Sequence, residues 1–457
     1  MYPLHKYVYE DNISEVSSLL NSDKDILSPN SLKDLHGNTP LHLSVSLGHK
    51  ECTHLLLKHN HPIAVKNTLG WTPLQEAISY GDRQILTSLY KSLRKQGKQS
   101  IKKKRSELLS ALDKLGGDFE MELHWDFQSW VPFVSRILPS DTCLIYRQGS
   151  KVRMDSTLED FSDMRWVRGD ISFIVDFSTE PEPEITLMDN KRMVYQRMKK
   201  VSQQEREASI EDEVDITMSS DIVDASIKTR DVILDRVQEG WIFKQDKCEK
   251  IGKFPADFYR LKGLTFQTRK RREHLSEEDI RKNRALRDAF SRGENTEQVL
   301  EEAEGGIEKR KSLPVPSKPE MTWDQYIKSP PGDYECLGRK TKVKTSMKTF
   351  EPLLGMSREF PVTLENLLPI LEALGPKAKL FSKLRDFVTM KLPPGFPVRI
   401  DLPIFPTVKA TVSFPQFQFR NDFDDDFFSV PKSYKEDPSW FDKSSKERQV
   451  ERKKSKA

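Results

Sequence analysis

The side chains best suited to chemistry crowd into the start of the chain. Seven of the nine histidines precede Pro62. Among them His49, His54, His59 and His61, with Cys52, offer the nitrogen and sulfur donors that a transition metal takes. Their spacing matches no tetrahedral ligand pattern. An internal offset of 33 residues carries Gly48 onto Gly81 and Val45 onto Ile78, and it sets Cys52 opposite Ile85. That is an apolar position, so the thiol is expected in a core and no metal is expected. Nucleophilic chemistry finds no frame either. There is no phosphate loop, no Gly-x-Ser-x-Gly elbow and no His-Glu-x-x-His. The run Glu211-Asp212-Glu213 lies in polar sequence, where nothing would raise a carboxylate pKa. No catalytic residue, cofactor or small-molecule substrate is expected.

The same offset defines the elements around these residues. Asp34-Leu35-His36-Gly37-Asn38-Thr39-Pro40-Leu41-His42 is answered by Asn67-Thr68-Leu69-Gly70-Trp71-Thr72-Pro73-Leu74-Gln75. Gly37 and Gly70 supply the positive φ of a tight turn. Thr39 and Thr72 cap the helices that follow, and Pro40 and Pro73 take the first helical position, where no amide is missed. A 33-residue period with Thr-Pro-Leu-His resembles ankyrin repeats. The second copy departs from that pattern at Gln75, where histidine is usual, which leaves its turn-to-turn hydrogen bond open. Glu15-Val16-x-x-Leu19-Leu20 echoes Glu51-Cys52-x-x-Leu55-Leu56, so residues 1–33 read as an atypical opening repeat. About three repeats are the minimum for a stable stack. The last apolar face is therefore expected to be covered by later chain, the two halves docking on one another.

Beyond Leu89 the segment Arg94 to Arg105 is basic and reads as a linker, with a short helix from Ser106 to Leu115. From Phe119 the period changes to two: Phe119-x-Met121-x-Leu123-x-Trp125-x-Phe127 predicts a half-buried strand. Strands are also expected over Cys143–Tyr146, Lys151–Met154, Ile171–Phe177 and Glu184–Met188, the last turning at Asp189-Asn190 into Met193-Val194-Tyr195. Residues 199–213 read as a loop or frayed helix, and Val214 to Phe266 as further short strands. Trp125, Trp130, Trp166 and Trp241 are expected as core or sheet anchors. Ser276-Glu277-Glu278-Asp279 starts a helix running to about Ala303. Leu313 to Pro319 is a stiff extended linker. Leucines from Leu364 to Leu374, capped by Thr363 and bent at Pro369, make one helix, and Leu380 to Val388 a second. Phe396 to Ile404 alternates but holds Pro397 and Pro403, which predicts a sheet edge or an extended arm.

The composition suits this division. Hydrophobic residues make up 36% and charged residues 32%, too little apolar surface for one compact globule of this length. A net charge of +4 does not call for nucleic acid, and none is expected as a partner. Scattered Cys52, Cys143, Cys248 and Cys336 suit a reducing compartment. No apolar leader opens the sequence, and no run of 18 apolar residues occurs. The expected fold is α+β: an all-α repeat stack over 1–100, a basic linker and short helix over 101–118, and a mostly antiparallel β domain with added helices over 119–420. A charged insertion covers about 267–320. Residues 421–457 are expected to be disordered.

Lys391-Leu392-Pro393-Pro394-Gly395-Phe396-Pro397, with Leu364-Glu365-Asn366-Leu367-Leu368-Pro369, Lys383-Leu384-Arg385-Asp386-Phe387, Thr268-Arg269-x-Arg271-x-Glu273-His274-Leu275 and Trp323-x-x-Tyr326, resembles the ankyrin-repeat GPCR-chaperone family. The resemblance covers nearly the whole chain. It implies a non-enzymatic chaperone of receptor biogenesis, peripheral on the cytosolic side of the endoplasmic reticulum membrane, with cytosolic segments of G-protein-coupled receptors as partners. A generic ankyrin scaffold in cytosol or nucleus is the competing expectation. The partner-binding candidates on the repeats are Asn38, Trp71 and Gln75, at the turn tips and the start of an inner helix. Near the end, Asn421-Asp422-Phe423-Asp424-Asp425-Asp426-Phe427-Phe428-Ser429 loosely resembles the acidic two-phenylalanine motif read by endoplasmic-reticulum receptors of the VAMP-associated family. That makes Phe427 and Phe428 further candidates, beside the plainer reading of a strand edge finishing the β domain.

Overall fold

In the computed structural model the 33-residue offset becomes a stack of helix pairs. The structure describes residues 2–22, 32–129, 138–162, 165–179, 184–198, 203–229, 231–240, 243–292, 310–317, 319–334, 336–366, 392–405, 408–424 and 426–442. Contacts divide the chain into two units. One gathers residues 1–100, 201–225 and 268–346, and the other 101–200, 226–267 and 347–457. The stretches 201–225 and 268–346 thus belong with the repeats, although the sequence had placed them in the β domain.

In the repeat unit, α1 (Pro3–Tyr9) and α2 (Ile13–Ser22) form the opening pair, and α3 (Pro40–Leu47) and α4 (Lys50–Lys58) the second. The third consists of α5 (Pro73–Tyr80) and the start of α6 (Arg83–Lys114). Thr39 and Thr72 cap α3 and α5, and Gly48 and Gly81 end them in the left-handed region at φ 75° and 82°. Leu41, Leu43, Val45, Leu56, Ile85, Leu86 and Leu89 are buried together, each contributing roughly 1.5–3 kcal/mol. Cys52 is among them, as its register demanded.

The basic stretch Arg94 to Arg105 is not a linker: α6 runs through it without a break. Its Lys, Arg and Gln are strong helix formers, and the single Gly97 costs only about 1 kcal/mol. Residues 203–219 are a helix, which takes the helical of the two alternatives over 199–213 and replaces the strand expected from Val214. Ile210, Val214 and Met218, four residues apart, form one buried face beneath an otherwise charged surface. This helix packs beside α6. Arg83 pairs with Asp215 and Glu211, and the Tyr90 hydroxyl shares a 2.6 Å hydrogen bond with that of Thr217. The predicted helix start at Ser276 holds, its hydroxyl accepting from the Asp279 amide; the helix is described over Glu277–Arg292, and its expected end lies outside the described residues.

The second unit is built on a thirteen-stranded sheet. Strands β1 (Phe119–Ser129), β2 (Ser140–Gln148), β3 (Lys151–Ser162), β4 (Arg165–Asp176), β5 (Glu184–Asp189) and β6 (Val194–Arg197) follow one another antiparallel. On its other side β1 pairs with Val408–Phe419, followed in order by Phe396–Phe405, Leu353–Ser357, Phe254–Lys262 and Cys248–Ile251. Phe396–Phe405 is not an edge, because it is paired on both sides. Its prolines are tolerated where the ladder is irregular: the register shifts next to Met356↔Pro397 and again next to Pro403↔Lys409.

Phenylalanine fills this core. Phe360 stacks on Phe396 with centroids 4.0 Å apart, near Phe254, Phe414 and Phe417. The expected anchors Trp125 and Trp166 are only half-buried, and Trp130 and Trp241 lie outside the described residues. The described residues between 421 and 442 dock on the sheet at several points, contrary to the disorder expected from 421 onward. Phe423 and Phe428 bury against Tyr146, Lys435–Glu436 pairs parallel with β6, and Trp440 donates to Asp189 at 3.2 Å. The basic tail from Lys443 and most of the two leucine-rich helices fall outside the described residues. Among the described residues no helix is long and apolar enough to cross a membrane.

Candidate functional site

The loops that open α3 and α5 hold the unit's polar centre. The carboxylate of Asp34 accepts from the amides of His36 and Asn38, both at 2.9 Å, so the chain reverses at Gly37 in the left-handed region. Asn67 repeats the bond to Trp71 N at 2.9 Å. In the first copy Thr39 N donates to His42 Nδ1, which leaves Nε2 to donate to Trp71 O at 2.9 Å in the next loop. In the second copy Gln75 does the same work. Its Oε1 accepts from Thr72 N at 2.9 Å, and its Nε2 donates to Val223 O at 3.1 Å. The Gln75 bond left open by the sequence is therefore made, and the strand Ile222–Lys228 stands where a further repeat's loop would be.

Trp71 is covered by that continuation. It is 3% exposed, with the guanidinium of Arg269 4.5 Å and that of Arg271 4.8 Å from its ring centroid. Arg271 is itself 1% exposed. It makes a two-pronged pair with Glu76, both bonds 3.0 Å, and a further pair with Glu273. Arg269 holds the loop from outside, donating to Leu69 O and Gly70 O and pairing with Asp224 at 2.8 Å. The carboxyl pKa values of Asp224 and Glu273 are lowered. Burial works against this in both; the hydrogen bonds of Lys66 and Arg269 to Asp224, and the charge of Arg271 beside Glu273, outweigh it.

A second cover comes from residues 310–343. Leu313 N donates to Gly81 O at 2.9 Å, and its side chain packs on the bare Cα of Gly81. The short helix Trp323–Lys328, capped by Thr322, brings Tyr326 onto the first loop at 0% exposure. The Tyr326 hydroxyl donates to Asp34 Oδ2 at 2.7 Å and accepts from Asn38 Nδ2 at 2.8 Å, while its carbonyl meets His36 Nε2 at 2.8 Å. Asn38 Nδ2 also donates to the Tyr334 hydroxyl at 3.0 Å, and Asn38 Oδ1 accepts from Asn67 at 2.9 Å. Every hydrogen-bonding atom of that amide is occupied. Burial pushes the Tyr326 phenol strongly up, so the hydroxyl keeps its proton and donates; burial is also the leading cause that raises the Asp34 carboxyl.

These positions correct the sequence candidates. Asn38 and Trp71 are interior groups, 2% and 3% exposed, and present no free surface to a partner. Gln75 is half-buried and spent on the two bonds described. In the other unit Phe428 is 5% exposed and Phe427 half-buried, with Arg153 4.4 Å from the Phe427 ring and donating to its carbonyl. That is the plainer reading, a segment finishing the β unit. The residues that sequence reasoning missed are Arg271, Tyr326 and Tyr334. The signal for Tyr326 was there: Thr322-x-x-Gln325 repeats the capping box of Thr72-x-x-Gln75. Among the described residues no three metal-ligating side chains converge. Burial raises the Cys52 thiol to about 12, and its Sγ donates to Asp11 at 3.3 Å. His49 bonds the Val8 carbonyl at 2.8 Å.

Comparison with known proteins agrees with this architecture. The ankyrin repeat family model (three copies) matches residues 4–100, and the ANKRD13 C-terminal model matches residues 153–456. The chain is 50% identical over 440 residues to human ankyrin repeat domain-containing protein 13C, covering 96% of this chain and 79% of the relative. To the Danio rerio protein of that name it is 49% identical over 441 residues, covering 96% and 87%. Mouse ankyrin repeat domain-containing protein 13B is 30% identical over 430 residues, covering 90% and 67%. A repeat stack closed by its own later segments thus goes with a sequence match along the whole chain, and the chain belongs to the ankyrin repeat domain-containing protein 13 family.

Proposed function

We propose that this protein is a non-enzymatic chaperone or adaptor that holds immature G-protein-coupled receptors through their cytosolic segments, at the cytosolic face of the endoplasmic reticulum. The observation that carries the non-enzymatic part is how the polar side chains of the repeat unit are used. Asp34, His36, Asn38, His42, Glu76 and Arg271 are each locked into bonds that join one segment to another. Side chains used in this way build a protein-binding frame. The receptor part rests on the sequence resemblance to the GPCR-chaperone family.

The test is cross-linking in cells to newly made receptors, with the linked peptides mapped. The expected result is capture of core-glycosylated, immature receptor by a salt-extractable membrane pool, with slower appearance of receptor at the surface. A purely soluble or nuclear pool that captures no receptor would leave the generic scaffold as the better reading.

A further inference from the structure

In the repeat unit Arg339 is half-buried and makes no ion pair among the described residues. Arg339 donates through a terminal nitrogen to the carbonyls of Tyr80 and Pro314, but its Nε is shielded from solvent and meets no acceptor among the described residues. No carboxylate among them pairs with it. The nearby acids pair with other cations, Glu76 and Glu273 with Arg271 and Asp224 with Arg269 and Lys66, although one Glu273 oxygen has no hydrogen-bond partner among the described residues and its charge still reaches Arg339. A guanidinium nitrogen shielded from water without an acceptor is costly, so an anion placed there would be favoured.

Arg339 borders a cavity of about 340 Å³, with Trp71, Glu76, Arg269, Arg271, Tyr334 and Thr341 among its walls, the Glu76 carboxylate held by Arg271. That is the lower end of ligand-sized cavities, roughly 300–1,000 Å³. The Tyr334 oxygen accepts from Asn38, and its hydroxyl proton has no acceptor among the described residues. Outside the cavity Lys340, Lys342 and Lys344 follow in sequence, exposed and without an ion pair among the described residues. The stretch from Arg339 to Lys344 holds four cations and no acid. Guanidinium forks and a phenol proton are the donors that recognise phosphate oxygens.

We propose that this cavity binds a phosphate ester on a small polar body, with Arg339 and Tyr334 as its principal donors and the exposed Lys340 and Lys342 adding positive charge outside it. An acidic peptide fits less well, because Gly332 to Val343 already supplies one wall and leaves a pocket rather than a trough. A soluble sugar or inositol phosphate and a phosphoinositide headgroup share the required chemistry. The site does not depend on the receptor reading, and either can fail alone.

The experiment is calorimetric titration of the full chain with inositol trisphosphate at about 0.15 M salt. Saturable binding is expected. Arg339→Gln should weaken it by about tenfold or more, Arg339→Lys less, and exposed Lys342→Gln about twofold to threefold. Thermal melts of each variant separate lost binding from lost folding, and Lys342→Gln, being on the surface, keeps the test open if Arg339 variants unfold. Co-sedimentation with phosphatidylcholine vesicles containing a phosphoinositide, against phosphatidylserine at matched charge, assigns the source. Vesicle binding points to the lipid headgroup, and titration without vesicle binding to a soluble ester. The proposal is overturned if no saturable binding occurs, if Arg339→Gln binds as well as the parent, or if a polyglutamate peptide of equal charge binds as tightly.

Discussion

The hydroxyl of Tyr326 donates to the carboxylate of Asp34 at 2.7 Å, between residues 292 positions apart in the chain. It is the centre of the closure that completes a short repeat stack. Tyr326→Phe removes the oxygen that serves both Asp34 and Asn38, leaving two buried polar groups unsatisfied. The expected loss is about 1–3 kcal/mol in urea unfolding. A loss indistinguishable from zero would mean that water replaces the hydroxyl.

Arg271 should be harder to replace. Arg271→Met leaves Glu76 and Glu273 buried without their cation, and the expected cost is about 3–5 kcal/mol. Adding Glu76→Gln to it should recover part of the loss, because one uncompensated charge is then gone. A double-mutant cycle on the full chain measures that coupling.

Acid should loosen the repeat unit through three buried histidines. Burial is the leading cause that pushes His5 down to about 4, His42 to about 3 and His61 to about 3. These folded values lie below the unfolded value of 6.5, so the unfolded chain binds the extra protons. Stability from this source is complete above about pH 6.5 and is lost as pH falls toward 4 and then 3. At about pH 5 each histidine should cost about 2 kcal/mol. Neither ring nitrogen of His61 has a partner among the described residues, so His61→Leu should flatten the pH dependence by one proton's worth.

Gly81→Ala tests how residues 310–314 are held. Its φ of 82° disfavours any side chain, and an added Cβ would lie 2.4 Å from Leu313. The expected outcome is a cost of about 1–2 kcal/mol and faster tryptic cleavage at Arg310 and Lys311.

Phe428→Ala should act on stability before it acts on any partner. The ring buries beside Phe423 and Tyr146, and removing it should cost about 3–5 kcal/mol in the β unit. A variant of full stability that loses capture of an endoplasmic-reticulum receptor would restore the short-motif reading.

Local signals were read correctly wherever one element carries its own instruction. The capped turns at Thr39 and Thr72, the alternation of β1 and the helix start at Ser276 needed no knowledge of the rest of the chain. Errors arose where charge or proline was weighed without tertiary context. Residues 203–219 read as loop or frayed helix running into strand because three buried positions are hidden among acids. Phe396–Phe405 looked like an edge because a sheet can absorb proline only at a bulge, and bulges leave no mark in one strand's sequence. Trp71 looked exposed because its cover, Arg269 and Arg271, comes from far along the chain.

The amino-acid order alone determined that there is a 33-residue repeat, that Gly37 and Gly70 turn the chain, that Cys52 faces a core, and that strands follow Phe119. Each of these depends on propensity, capping or periodicity within a few turns of backbone. Only the tertiary structure decided which later segments close the stack, that Asn38 and Trp71 are interior, and that Arg339 makes no ion pair among the described residues. Those outcomes depend on contacts between residues hundreds of positions apart, where many pairings satisfy the same local pattern and packing selects among them.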